Sequence, residues 1–296
     1  MSSLPLRQHC FTGPAGRLAA LYCAPAKGAE RGVTVVVVSG LYGSKEDSHA
    51  LLPHLADAGY RVFAYDHRGQ HESDGTDDPA DYTLEALTQD LLAVLTQINP
   101  SEGVHLVGLC MGGFVARAAV QSAAPVRSLA VVGWHLNGDR AVARRLRAAA
   151  AVGQRIGCAR TVAMASGWAE RYWPHDRVDP AFRQITQARL ATTRPAHYLG
   201  LTRALASALQ AEHPGNVPVP ALMVSGSEDN LFPASGFTDA ARRLGIPHAV
   251  IPGTGHLAQL HQPQAVARVL LRFWDTAAPL AVPRPGHRNP SPGVRR

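Results

Sequence analysis

The chain has 296 residues, of which 46% are hydrophobic and 17% charged, with a mean hydropathy of −0.06, a formal net charge of +7 and a pI near 9.6. That length accommodates one large α/β domain with an insertion and buries a sizeable core; its longest apolar run, Val33–Val38, has the length of a strand and falls far short of the roughly 18 residues of a membrane helix. The basic balance alone points to nucleic acid, but no interleaved aromatic–basic motif or zinc-finger spacing accompanies it, so no nucleic-acid partner is expected.

The first 30 residues read as a strand, a turn at Gly13–Gly16 and a second strand ending near Tyr22. No basic segment followed by an apolar one opens the chain, which gives the expectation of a cytoplasmic, reducing setting. Cys10 and Cys23 flank the turn. In such a compartment they are expected as free, buried small residues, as is Cys158, and no C-x-x-C pair suggests a metal or redox site. Val33–Val38 is a β-branched run suited to a strand covered on both faces. Residues 46–58 have helical character up to Gly59, and Tyr60–Tyr65 is the next strand. An apolar stripe at 84, 87, 91, 94, 95 and 98 predicts a helix with Thr83 as its N-cap. Val104–Val107, Met111–Ser122 and Ser128–Val132 continue the alternation as strand, helix and strand, which argues for a parallel sheet with helices on both faces.

The alternation then breaks. Residues 134–215 are Ala- and Arg-rich, helical in character and without a convincing strand, and read as a helical cap inserted between core segments 1–133 and 216–276. Twelve arginines face five acids in this insertion. The alternation resumes with strand 221–225, helix 236–244, strand 248–251 and helix 263–274, and the proline-rich tail 277–296 is expected to be disordered. Four arginines and no acid give that tail a charge of +4, so the core segments are net acidic.

The chemistry concentrates at the ends of the strands. Gly108-Leu109-Cys110-Met111-Gly112 lies between a strand and a helix, the context of a nucleophile elbow, with cysteine at its centre. A thiol is intrinsically more nucleophilic than a hydroxyl and forms a thioester with an acyl group. Nucleophilic acyl transfer also requires a base, a carboxylate that orients it and donors for the oxyanion. Asp229, in Gly226-Ser227-Glu228-Asp229-Asn230-Leu231-Phe232-Pro233, and His256, in Gly253-Thr254-Gly255-His256, follow in the order nucleophile, acid, histidine, each just past a strand. Asp139, soon after strand 128–132, is the alternative acid.

Over residues 17–275 the chain resembles the α/β-hydrolase superfamily. The resemblance rests on the elbow, the acid turn, the histidine turn and Asp66-His67-Arg68-Gly69-Gln70-His71-Glu72-Ser73-Asp74. This last motif is similar to the D-x-R-G-x-G-x-S-D loop of capped members, with His71 where those usually carry Gly. The resemblance implies an α/β-hydrolase fold with a mostly parallel sheet and a helical cap. It also implies oxyanion donors at the N–H groups of Met111 and Leu41, the latter in Ser39-Gly40-Leu41-Tyr42-Gly43, where Ser39 replaces the family's His. Tyr42, Trp134, His135, Trp168 and Trp173 are the candidate substrate-lining residues. Tyr172 belongs to the same aromatic cluster of the cap, and His67 and His71 are expected as surface or loop histidines. No metal or cofactor is called for.

The elbow is similar to that of dienelactone hydrolases and of Dieckmann-type cyclases. An acyl group moves between thioesters almost without free-energy change, which suits a cysteine receiving it from CoA or a carrier protein, and the basic insertion suits such acidic donors. The expected function is acyl transfer through an acyl-thioester, released by transfer, cyclisation or hydrolysis, within secondary metabolism. The alternatives are a plain esterase, thioesterase or dienelactone-type hydrolase, a lyase or C–C hydrolase that uses the triad as a base, and a non-catalytic ligand-binding relative. The expected partner is a small acyl substrate, with no membrane association.

Overall fold

Eight strands form one sheet in the order β1-β2-β4-β3-β5-β6-β7-β8. The computed structural model describes residues 4–100, 103–122, 124–134, 139–156, 184–185, 188–189, 191–210, 217–229, 231–232 and 234–276. Strands β1 (Leu6–Gly13) and β2 (Gly16–Cys23) form an antiparallel hairpin that joins β4 (Arg61–Tyr65) antiparallel. The other neighbours, β3 (Thr34–Val38), β4, β5 (Val104–Leu109), β6 (Val126–Val132), β7 (Ala221–Gly226) and β8 (His248–Ile251), pair in parallel. The sequence therefore turns one way from β3 to β4 and the other way to β5. That switch opens a crevice beyond the carboxyl ends of β3 and β5, where open α/β sheets bind ligands.

The sheet is covered on both faces, as its valine-rich strands require. Val36 and Val38 point to one side, toward α2 (Leu84–Ile98) and α3 (Gly112–Gln121), which contribute Leu87, Leu91, Val115 and Ala119 to that core. Val35 and Val37 point to the other side. There they pack with Leu51 and Leu55 of α1 (Leu51–Asp57) and Leu270 and Trp274 of the C-terminal helix 263–276. Between β6 and β7 the described residues include α4 (Arg140–Ile156) and α5 (Pro195–Ala208), which pack on each other. Among the described residues no helix is long and apolar enough to cross a membrane.

Two local expectations need correction. The single helix over 46–58 is instead a 3-10 turn at Lys45–Ser48 followed by α1. Pro53 explains the break, because its ring would clash with the carbonyl four residues earlier in a continuous helix, whereas the first turn of α1 tolerates it. Cys10 is exposed on the edge strand and pairs in register with Ala19, while Cys23 is buried opposite Leu6, so the two do not meet and both are free thiols. Cys158 and the tail 277–296 lie outside the described residues.

Candidate active site

The elbow is strained where the chemistry needs it. Cys110 has φ +50, in the left-handed region that non-glycine residues avoid. Its N–H donates to Val132 O at 2.8 Å, and its carbonyl accepts from Gly113 N at 3.0 Å, so both sides of the turn are clamped. The flanking glycines are required by space. A Cβ on Gly108 would land on the backbone of Gly113, and one on Gly112 would land on the carbonyl of Val38. The turn thus lifts Cys110, half-buried, above the sheet at the start of α3.

His256 sits beyond β8, and its Nδ1 lies 3.0 Å from Asp229 Oδ2. The other oxygen of Asp229 accepts from the backbone N–H groups of Leu231 (2.8 Å) and Phe232 (2.9 Å), which fixes the carboxylate in a buried position. The acid and histidine turns are joined by Ser227 N to Ile251 O at 3.0 Å and Glu228 N to Thr254 O at 2.8 Å. Burial acts to lower the His256 pKa, but the charge on Cys110 and the hydrogen bonds and charge from Asp229 and Cys110 outweigh it, pushing it up to about 10. Cys110 and Asp229 therefore act on the same ring, with Nδ1 committed to the acid. Asp139 is engaged elsewhere: its Oδ1 accepts from Ala141 N and Val142 N, both at 2.9 Å, which caps α4.

The turn after β3 lies against the elbow. Val38 pairs with Gly108, and the Cα of Gly40 is so close to Cys110 that an added Cβ would stand 3.2 Å from the Cys110 Cβ. Ser39, fully buried, donates its hydroxyl to Tyr65 O at 2.9 Å. Met111 is the N-cap of α3, and the first turn of the helix closes on the elbow, with Gly113 N donating to Cys110 O at 3.0 Å and Phe114 N to Met111 O at 2.9 Å. Leu41 lies inside the first of these turns, which Gly43 N closes on Gly40 O at 3.3 Å, and Met111 directly follows Cys110 in the second.

Around these turns the described side chains are largely aromatic. Trp134, buried at the end of β6, meets Phe232 at 4.1 Å and Phe114 at 5.8 Å between ring centroids, and Phe232 reaches His256 at 5.7 Å. Tyr42 packs against Tyr198 of α5 at 5.5 Å and is hydrogen-bonded to Thr202, and burial raises its phenol pKa. His135, Trp168, Tyr172 and Trp173 lie outside the described residues.

Residues 33–263 match the alpha/beta hydrolase fold family. The chain belongs to the alpha/beta hydrolase family. It is 28% identical over 226 residues to 3-oxoadipate enol-lactonase 1 of Acinetobacter baylyi, a match that spans 72% of this chain and 78% of that protein. Among solved structures, the enol-lactonase of Burkholderia xenovorans superposes with a TM-score of 0.75 at 21% identity, covering 90% of this chain and 100% of that one. The epoxide hydrolase VrEH1 of Vigna radiata gives 0.71 at 14% identity, with coverage of 91% and 98%. Both confirm the α/β-hydrolase fold.

In this family member His67 is a loop histidine, as expected, but it is fully buried; its Nε2 lies 3.0 Å from Ser39 O, and burial lowers its pKa to about 4. His71 is half-buried and has φ +45, the conformation for which related loops use glycine. Glu46, His71 and Glu72 cluster like metal ligands, but the Lys45 ammonium already sits among the acids, 2.7 Å from Glu46, 2.9 Å from Asp66 and 2.7 Å from Glu72. Sequence reasoning missed Phe232, although it lies inside the acid turn, and it missed Gln70, Tyr198 and Thr202, whose proximity arises only from the fold.

Proposed function

We propose that this alpha/beta hydrolase is a Cys–His–Asp acyl-transfer enzyme. The observation that carries the reading is the shared ring of His256, held by Asp229 on one nitrogen and acted on by Cys110, which the elbow presents at φ +50. In the first half-reaction the Cys110 sulfur attacks the carbonyl carbon of an ester or thioester, and the carbonyl π-electrons move onto oxygen. The oxyanion is held by the N–H groups of Met111 and Leu41. Collapse breaks the bond to the alkoxide or thiolate, which takes its proton from the His256 imidazolium. In the second half-reaction His256 takes a proton from the acceptor as it attacks the thioester, and Cys110 leaves.

The likeness to an enol-lactonase supports water as the acceptor and a small ester or lactone as the substrate. Cysteine in place of serine supports a longer-lived acyl-thioester open to other nucleophiles. The exposed Arg144, Arg145, Arg147 and Arg155 on α4 support attraction of an anionic donor such as an acyl-CoA or an acyl carrier protein.

Intact-mass spectrometry after incubation with a panel of acyl esters and acyl thioesters tests the reading. A mass gain in the wild type that is absent in Cys110→Ala identifies both nucleophile and acyl group. Turnover without any acyl adduct, undiminished in Cys110→Ala, removes the proposal.

A further inference from the structure

Gln70 is 1% exposed and lies in the loop after β4. Its amide is fully committed. Oε1 accepts from His67 N at 2.8 Å, and Nε2 donates to Gly40 O at 3.0 Å and to Gly43 O at 2.7 Å. An acceptor facing one N–H and a donor facing two carbonyls also fix which way the amide is turned. His67 extends the grip by one residue, with Nε2 3.0 Å from Ser39 O. Gln70 thus holds two carbonyls of the turn after β3, and His67 holds a third.

The consequence follows from the planarity of the peptide unit. Gly40 C=O and Leu41 N–H belong to one trans peptide, so they point in opposite directions. With the carbonyl oxygen tied to Gln70, the N–H is directed away from Gln70. The opposite side of this turn is the elbow, because Gly40 abuts Cys110. If the peptide turned over, a carbonyl oxygen would face the place where negative charge develops.

We infer that Gln70 is a positioning residue for the oxyanion donor: its carboxamide holds the Gly40–Leu41 peptide with Leu41 N–H facing the carbonyl under attack. The inference rests on the acyl-transfer reading and goes beyond it by assigning a residue that touches neither substrate nor triad. It predicts an uneven effect on two reactions of the same sulfur. Acylation by p-nitrophenyl acetate passes through an oxyanion, whereas alkylation by iodoacetamide is a displacement at carbon that forms none.

The experiment measures both rates at Cys110, by stopped-flow release of p-nitrophenol and by mass spectrometry, in wild type, Gln70→Glu and Gln70→Ala. Gln70→Glu keeps the shape but replaces the donor with a carboxylate oxygen, so it sets one acceptor against two carbonyls. Acylation is expected to fall about 100-fold in Gln70→Glu while alkylation stays within about twofold. Gln70→Ala is expected to show a smaller loss with the same selectivity. Taking the ratio of the two rates on one preparation separates positioning from a general loss of folded protein. Equal rates in all three proteins, or a proportional fall in both reactions, overturn the positioning role alone. If wild-type Cys110 is not acylated at all, the acyl-transfer reading falls and the positioning role falls with it.

Discussion

Val38 and Gly108 are register partners in the parallel pair β3–β5, and this pairing brings the turn carrying Leu41 beside the turn carrying Cys110. The two turns touch through glycines: Gly40 meets Cys110, and Gly112 meets the carbonyl of Val38. Gly108 sits under the same contact, with the backbone of Gly113 where its side chain would be. Gly108→Ala is therefore expected to push α3 off the sheet at a cost of about 1–3 kcal/mol, as overpacked sites do. It should also slow alkylation of Cys110, because the elbow moves with the helix. Urea denaturation and an iodoacetamide time course check both. A variant as stable as wild type would show that the contact between β5 and α3 has slack.

The two acids that compete in the sequence are separated by what each oxygen binds. Asp229 holds the imidazole and Asp139 holds the end of α4. Asp229→Asn keeps the shape but weakens the orientation of His256, and turnover is expected to drop by on the order of 10²–10⁴. Asp139→Ala should cost about 1 kcal/mol of stability through the lost cap and leave turnover unchanged. Measuring turnover and thermal stability of both variants reads the assignment directly, since a recruited Asp139 would reverse the pattern.

Much of this arrangement is legible in the sequence because it is local. The helix at 84–98 has the limits that its apolar stripe and Thr83 cap predict, with Thr83 Oγ1 accepting from Ala86 N at 3.0 Å. Cys110, Asp229 and His256 each follow a strand end and so announce their turns. The roles of His67 and Gln70 are not legible. They are polar residues in a loop, with no period to signal burial; the turn after β3 packs on them, and Arg194 and His197, which are distant in sequence, bond to the backbone between them. Cys10 is misread for the complementary reason: nothing in a strand's own residues reveals that it lies at the edge of the sheet. His71 reads as an irregular substitution until its positive φ shows that it occupies a glycine conformation.

The raised pKa of His256 has a sign that thermal unfolding reveals. In the unfolded chain its imidazole titrates near the ordinary value of about 6.5, and in the folded chain it titrates up near about 10. The stabilisation from the imidazolium is thus complete below pH about 6.5 and is lost as pH rises through about 10. The melting temperature of the wild type is expected to fall across this window more steeply than that of His256→Gln, which has no ring to titrate. Parallel curves for the two proteins would mean that the ring is neutral in the folded state. The same proton serves the leaving group, so turnover of an alkyl ester should decline over the same alkaline range.

Asp47 and Arg189 form a buried ion pair across 142 residues, joining the 3-10 turn at Lys45–Ser48 to the segment before α5. Both side chains are almost completely excluded from solvent, at 5% and 0% exposure. The backbone nearby is tied in as well: His71 N donates to Thr193 Oγ1 at 2.9 Å, and Arg194 N donates to Gly69 O at 2.9 Å. Removing one charge from such a pair takes a buried counter-charge from the other. Asp47→Ala is expected to destabilise the protein by about 3–5 kcal/mol, because the guanidinium loses its carboxylate without gaining water. Replacing both partners relieves that penalty, so Asp47→Ala combined with Arg189→Met should be more stable than Asp47→Ala alone. Denaturant titrations of the two single variants and the double variant close the cycle. If the double variant is no more stable than Asp47→Ala, the loss comes from disturbing the 3-10 turn, and the buried charge is not its source.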